Sequence, residues 1–114
     1  MALPTFTRTM IEHKLGIYCE KRVPPELMDQ VRLGFRIKGN SVTLFEEQPA
    51  FLKPNEWVEI KIAQFRFNLK TNEWTLYCAD RNSRWHGYWD LEPSKNFDDL
   101  LQEVDEDPAG IFWG

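Results

Sequence analysis

The spacing of hydrophobic residues changes along the chain, and each spacing predicts a different element. From Thr5 to about Arg22 the apolar residues recur at the interval of one helical face, which we expect to be buried: Phe6, Met10, Ile11, Leu15 and Tyr18. Pro24 and Pro25 then predict the end of this helix, because proline lacks an amide hydrogen. Near the C-terminus, from Ser94 or Asn96, a second stripe predicts a short helix: Phe97, Leu100, Leu101 and Val104. Asp107 and Pro108 end it.

Between the two helices the hydrophobic period becomes two, which predicts β-strands. Val31, Leu33, Phe35 and Ile37 alternate with polar residues or glycine, and Gly39-Asn40 is a typical hairpin turn. Such a hairpin places Phe35 opposite Leu44. It also places Arg32 opposite Glu47, where a cross-strand ion pair is expected.

Three further strands follow in the same way. The apolar parity changes between Ile62 and Phe65, which predicts a bulge near Ala63-Gln64. A turn at Lys70-Thr71 sets Phe67 against Trp74 and Arg66 against Thr75. A turn at Asn82-Ser83 sets Tyr77 against Tyr88 and Asp80 against Trp85. In this register the inner face of the sheet is aromatic: Phe65, Phe67, Trp74, Trp85 and Trp89.

The elements together predict an α+β fold in a single domain that spans residues 1–114. It consists of an N-terminal helix, an antiparallel meander of about five strands, a C-terminal helix and an apolar tail. The tail, residues 109–114, is too apolar to remain in solvent and is expected to pack on the core.

Composition supports a folded, water-soluble domain. Hydrophobic residues make up 42% of the 114 residues and charged residues 28%, which argues against disorder. We expect a cytoplasmic protein with no membrane association, since the N-terminus lacks the pattern of a secretory signal and no apolar run could span a bilayer. Cys19 and Cys78 lack metal-site spacing and are expected to be two buried, unpaired thiols.

Charge is distributed unevenly along the chain. The net charge is −4, yet residues 91–114 contain seven acidic residues and one lysine, so the rest of the chain is slightly basic. The simplest interpretation is a solvated acidic helix. The alternatives are a contact surface for a basic partner and mimicry of the charge of a nucleic acid.

One face of the predicted sheet combines tyrosines with cationic and polar groups. Its candidate binding residues are Gln64, Arg66, Tyr77, Arg84, His86 and Tyr88. Paired aromatics on an open sheet, with arginines nearby, are typical of single-stranded nucleic-acid binding, because every base can stack and the phosphates need cations. The alternative is that the first helix covers this face and the tyrosines form a second small core.

An acid–base site centred on His86 is a further hypothesis, with Asp80 or Asp90 as the carboxylate partner. The predicted register puts Cys78 on the opposite face from His86, which leaves no thiol nucleophile. His13 and His86 are too far apart in sequence to suggest a metal site, and no motif implies a cofactor. An enzyme would require His86 to lie in a concave pocket beside a second polar group.

Several stretches of the chain resemble a known family. They are Val31–Glu47, Trp74–Tyr77, Asp80–His86 and Gly110–Gly114. In these stretches the chain is similar to a small bacterial family described as a domain of unknown function, number three thousand and twenty-four in that series. The resemblance runs from about Val23 to the C-terminus. It implies a stand-alone bacterial domain, and it brings no activity, cofactor or catalytic residue with it.

The sequence therefore favours a small, non-enzymatic binding or protein-interaction module, acting on a protein partner or by self-association. Single-stranded nucleic-acid binding through the sheet face and a small enzyme centred on His86 are the alternatives. The position of residues 5–22 relative to Tyr77 is the observation that separates an open face from a covered one.

Overall fold

A computed structural model describes residues 2–113. The chain order is α1 (Thr5–Arg22), a short 3-10 turn (Pro25–Leu27), β1 (Arg32–Lys38), β2 (Ser41–Pro49), β3 (Trp57–Asn68), β4 (Glu73–Ala79), β5 (Trp85–Gly87) and α2 (Phe97–Glu106). The predicted element order is confirmed, and the fold is α+β.

The five strands form one antiparallel sheet in the order β1-β2-β3-β4-β5, and both helices contribute to a core on one side of it. Ile11 and Leu15 of α1 are fully buried in the same cluster as Val42 and Leu44 of β2. On α2, the Phe97 ring lies 4.8 Å from that of Phe65 and 5.1 Å from that of Trp74. Because the helices share one side, the other side of the sheet is left uncovered.

Helix α1 buries only part of its predicted stripe. Ile11 and Leu15 are inaccessible to solvent, whereas Phe6 in the first turn is 84% exposed, so its predicted burial is wrong. Leu3, just before the helix, is buried in the core cluster at this end of the chain.

Two of the predicted strand registers are confirmed. Phe35 lies opposite Leu44 in the first hairpin, and Phe67 lies opposite Trp74 in the second. Arg32 also lies opposite Glu47, but the predicted ion pair does not form. The Arg32 guanidinium instead lies 3.8 Å from the ring centre of Trp57.

A bulge in β3 keeps one face of this long strand buried. Leu44 pairs with Ala63 and Phe45 with Lys61, so Ile62 is the extra residue, one position before the predicted site. Ile62 and Ala63 are both buried, and Phe65 and Phe67 then follow on the helix side. The bulge therefore aligns two stretches of opposite parity on one core, as bulges commonly do.

The register between β4 and β5 differs from the prediction by one residue. Tyr77 pairs with Gly87 instead of Tyr88, and Ala79 with Trp85. The cause is a three-residue loop in place of the two-residue turn. The Asp80 amide donates to the Arg84 carbonyl, Ser83 adopts a left-handed conformation with φ 61°, and the Asp80 carboxylate accepts from the Asn82 and Arg84 amides. A shift of one residue reverses the face of every side chain in the strand.

The C-terminal segment is held by two side-chain caps. Asn96 accepts the Asp98 amide at the start of α2, and Asp107 ends the helix in a left-handed conformation. The Asp107 carboxylate then accepts the amides of Ile111, Phe112 and Trp113. Phe112 is buried, so docking of the tail is confirmed up to residue 113, while Gly114 lies outside the described residues.

Two further findings concern the cysteines and the length of the helices. Cys19 and Cys78 are free thiols and both are partly buried; burial raises the pKa of Cys19 to about 11. None of the helices described between residues 2 and 113 is long and apolar enough to cross a membrane.

Candidate functional site

The uncovered side of the sheet, here called the open face, carries aromatic and cationic side chains in contact with one another. Four such pairs lie on it: Arg66 over Tyr77, Lys61 over Trp85, Arg32 over Trp57 and Arg36 over Phe45. These side chains belong to alternate residues of the five strands, so they point to the same side of the sheet.

Arg66 is held in place by a chain of side-chain contacts. Gln64 donates to the Thr43 hydroxyl at 3.0 Å and accepts the Arg66 Nε–H at 2.7 Å. The guanidinium carbon lies 3.7 Å from the Tyr77 ring centre. Among residues 2–113 Arg66 forms no ion pair, so its charge and its terminal nitrogens are available to a ligand.

Trp89 provides an exposed aromatic surface next to Tyr77. Its indole is 72% exposed and packs edge-to-face with the Tyr77 ring at 6.4 Å. It lies directly on Gly87, where a Cβ atom would come within 2.1 Å of the indole. Glycine at this strand position is therefore what allows the indole to lie flat on the backbone.

Lys61 places a second cation beside these rings. Its ammonium group lies 5.5 Å from the Trp85 ring centre and donates to the Ser83 carbonyl at 3.2 Å. It has no carboxylate partner within the described part of the chain. Tyr77, Trp89, Arg66 and Lys61 together form what we call the stacking region of the open face.

On the β1 side of the open face, one of the two stacked arginines is neutralised. Arg36 lies over Phe45 and also forms a 2.5 Å ion pair with Glu59. The hydrogen bond and charge of Glu59 raise the pKa of the Arg36 guanidinium. Stacked cations are present on both sides, and among the described residues Arg66, Lys61 and Arg32 have no anionic partner. The stacking region differs in that it contains the exposed indole of Trp89.

The structure brings together three of the six predicted binding residues. Gln64, Arg66 and Tyr77 form one network, while Arg84 is exposed in the β4–β5 loop. Tyr88 was predicted to oppose Tyr77, and this is wrong. Tyr88 is buried on the helix side, where it donates to Glu103 at 2.6 Å and packs 5.2 Å from the Phe112 ring. Burial, followed by the Glu103 hydrogen bond, raises the pKa of Tyr88.

His86 is also absent from the open face. It lies opposite Cys78 on the same side of the sheet, so their predicted separation onto opposite faces is wrong. The side chain is 59% exposed, and its Nε2 lies 2.7 Å from Asp80 Oδ2. Backbone donation from Arg84, together with His86, lowers the pKa of Asp80 to about 2. Burial raises the pKa of Cys78, which disfavours a thiolate there.

The one-residue shift also moves two tryptophans that were predicted to be inside. Trp85 and Trp89 lie on the open face instead of in the core. The sequence prediction missed both of them, together with Lys61, as members of the site. Gly87 could have indicated that a side chain such as Trp89 packs on this strand, because an isolated glycine in a strand often marks the close approach of another group.

A groove of about 620 Å³ lies on the helix side, between α1 and α2. Two bonds cross it: Lys14 pairs with Asp98 at 2.8 Å, and the Tyr18 hydroxyl donates to Asp105 at 2.9 Å. Within residues 2–113, no three histidine, cysteine or acidic side chains are grouped as a metal ion would require.

Comparison with known proteins gives a family but no relative of known function. No curated protein and no solved structure matches the chain. A family model described as "Domain of unknown function (DUF3024)" matches residues 3–114. This match covers nearly the whole chain, and the protein therefore belongs to that family.

Proposed function

We propose that this protein is a small, non-enzymatic binding module whose open face takes single-stranded nucleic acid. The observation that carries the proposal is the stacking region, where exposed aromatic surface lies beside cations that have no anionic partner. Bases would stack on Trp89 and on the Arg66 guanidinium, and phosphates would contact Arg66 and Lys61. Stacking on aromatic rings and guanidinium planes is the usual way in which proteins hold unpaired bases.

The acidic overall charge is compatible with this proposal because of where the acidic residues lie. Asp98, Asp105 and Glu103 bond to groups on the helix side of the molecule, namely Lys14, Tyr18 and Tyr88. A polyanion would be repelled from α2 and would approach the opposite side. The charge distribution therefore favours binding to the sheet and gives it a defined orientation.

We also propose a bacterial origin and a cytoplasmic location, on the resemblance of the sequence to a bacterial family.

His86 gives the enzyme alternative little support, since both carboxylate oxygens of its partner Asp80 already have hydrogen-bond partners. One carboxylate oxygen of Asp80 accepts two loop amides and the other contacts His86. These bonds hold the β4–β5 loop in one conformation.

Fluorescence polarization with labelled single-stranded RNA and DNA of about 12 nucleotides tests the main proposal. We expect micromolar binding at low salt, with log K falling by about 1.4 per decade of salt because two cations contact phosphates. Trp89→Ala should weaken binding by roughly 5- to 150-fold, the usual value of one stacked base. Tyr77→Ala should also weaken binding, because it removes the ring that supports the Arg66 guanidinium. No polarization change at about 100 µM protein would refute the proposal.

Arginine variants provide a matched control. Arg66 and Arg22 each stack on an aromatic ring, but Arg22 lies over Trp113 on the helix side at 4.4 Å. Arg66→Gln should lower affinity and reduce the salt dependence, whereas Arg22→Gln should change neither. Equal effects of the two substitutions would indicate nonspecific attraction to the whole protein.

Protein interaction is the second candidate function, and the tip of the β2–β3 hairpin favours it. Phe51 and Leu52 are 97% and 84% exposed, and Val58 and Ile60 beside them are 49% and 42% exposed. Exposed apolar groups of this size commonly mark contact surfaces. Sedimentation equilibrium tests self-association: a dimer that Phe51→Ser weakens would support it, and a monomer at every concentration would exclude it.

A further inference from the structure

The open face ends at a cleft beside Tyr77, and the chemistry of this end cleft differs from that of the stacking region. The cleft has a volume of about 490 Å³ and lies where the β1–β2 and β3–β4 turns meet. Its polar lining consists of Asn40, Arg66, Asn68, Lys70, Thr75 and Tyr77. No aspartate or glutamate lines it, in a protein whose net charge is −4.

The walls of the end cleft are fixed by hydrogen bonds between and within the two turns. The Asn40 side chain donates to the Phe67 carbonyl at 2.8 Å, and the Phe67 amide donates to the Asn40 carbonyl at 2.9 Å. Asn68 Oδ1 accepts the amides of Lys70 and Thr71 at 2.9 and 3.3 Å. The β3–β4 turn is thereby held against the β1–β2 turn before any ligand arrives.

Several donors in this cleft remain unused. Arg66 and Lys70 form no ion pair with any residue in the range 2–113, and the Asn68 side-chain nitrogen donates to no acceptor in that range. Gln64 and Tyr77 already orient the Arg66 guanidinium while leaving its terminal nitrogens free. Two cations and an amide donor around one polar cleft are the groups that bind phosphate oxygens.

We infer that the end cleft binds a phosphate monoester at the end of a nucleic-acid strand. This inference rests on the proposed function, which puts the strand on the adjoining rings. An internal phosphate of a strand carries a single charge. A terminal monoester carries nearly two charges at neutral pH, which matches the two unpaired cations.

Three versions of one labelled 12-nucleotide strand test the inference: 5′-phosphate, 3′-phosphate and hydroxyl at both ends. We expect one phosphorylated end to bind about tenfold more tightly than the hydroxyl strand at pH 7.5. The advantage should shrink at pH 5, because the monoester takes up a proton near pH 6. A nucleoside monophosphate should compete with that strand, and the unphosphorylated nucleoside should not.

Lysine variants distinguish the contribution of the end cleft to affinity from that of the stacking region. Lys70→Gln should remove the advantage of the phosphorylated end and leave the hydroxyl strand unaffected. Lys61→Gln should weaken all three strands by the same factor, since Lys61 lies outside the cleft. Lys70 is exposed and unpaired, so loss of folding is not expected for this variant.

The outcomes distinguish the two proposals. If all three strands bind equally and still depend on Trp89, the end cleft is not a phosphate site, and the proposed function stands. If the nucleoside monophosphate shifts the amide resonances of Lys70 and Thr71 while no strand binds, the cleft takes free nucleotides and the proposed function fails. If neither the monophosphate nor any strand binds, both proposals are overturned.

Discussion

The two faces of the sheet are built from similar residues but hold them by different means. On the helix side, Trp74 is 1% exposed and packs 4.8 Å from the Phe67 ring and 5.1 Å from the Phe97 ring. On the open face, Trp89 is 72% exposed and contacts Gly87 and Tyr77. The helices supply apolar partners for one face, and arginine and lysine side chains cover part of the other. Aromatic content alone therefore does not distinguish a core from a binding surface in this domain.

Removal of one tryptophan from each face is the strongest test of this difference. Trp74→Ala should lower the free energy of unfolding by about 3–5 kcal/mol, because it leaves a cavity between β4 and α2. Trp89→Ala should lower it by less than about 1 kcal/mol, since most of the indole is already in solvent. Urea unfolding of both variants measures the two values. Equal losses would show that the open face stabilises the fold as much as the core does.

The tyrosines provide a smaller test of the same kind. Tyr88→Phe removes a hydroxyl that donates to Glu103 at 2.6 Å, and should cost about 1–2 kcal/mol because the carboxylate loses a partly buried partner. Tyr77→Phe should leave stability unchanged within about 0.5 kcal/mol. Denaturant midpoints of the two variants, measured at one pH, give the two losses of stability. A larger cost for Tyr77→Phe would mean that the Tyr77 hydroxyl has a structural role.

Most of the fold could be predicted from the sequence, because its hydrophobic periods and turn residues agree. Lys38 opposite Ser41 and Phe67 opposite Trp74 follow from the Gly39-Asn40 turn and from matching apolar faces. The β4–β5 register could not be predicted in this way. Trp85, Gly87 and Trp89 alternate with His86 and Tyr88, so either parity presents aromatic residues to the core. The choice is made by the Asp80 carboxylate, which accepts amides of its own loop, and by the Tyr88 bond to Glu103, which is a tertiary contact that the strand pattern does not encode.

The candidate site was predictable only in the strands whose register was unambiguous. Gln64, Arg66 and Tyr77 were identified because β3 and β4 pair as their sequences indicate. Trp89 was placed in the core and Tyr88 on the surface because the β5 register was one residue off. The stacking of Arg66 on Tyr77 also depends on rotamers, and no spacing pattern specifies these.

Gly87 offers a way to alter the open face without removing any aromatic ring. In Gly87→Ala the new Cβ would lie 2.1 Å from the Trp89 indole, so the ring must move off the backbone. We expect affinity for single-stranded oligonucleotides to fall by roughly fivefold, the lower end of the effect of losing one stacked base. Trp89 fluorescence should change in the free protein. Gly16→Ala on α1 is the matched control and should bind normally, because the added carbon meets no atom within 4 Å beyond its chain neighbours and the nearby backbone of its own helix.

The loop that sets the β5 register has a pH dependence of its own. The Arg84 amide and His86 lower the pKa of Asp80 to about 2, from an ordinary value of 3.8. A carboxyl whose pKa is lower in the folded state stabilises the fold fully above pH 4 or so, and this contribution disappears as the pH falls from about 4 to 2. Carbon-detected NMR titration should give the Asp80 carboxyl a midpoint near 2, with the Trp89 indole signal shifting over the same range as the loop loosens. A midpoint near 3.8 would mean that Asp80 does not hold the loop, and the register that places Trp89 on the open face would need another cause. Asp80→Asn keeps an oxygen for the two amides, so it should retain the register at neutral pH while losing this acid transition.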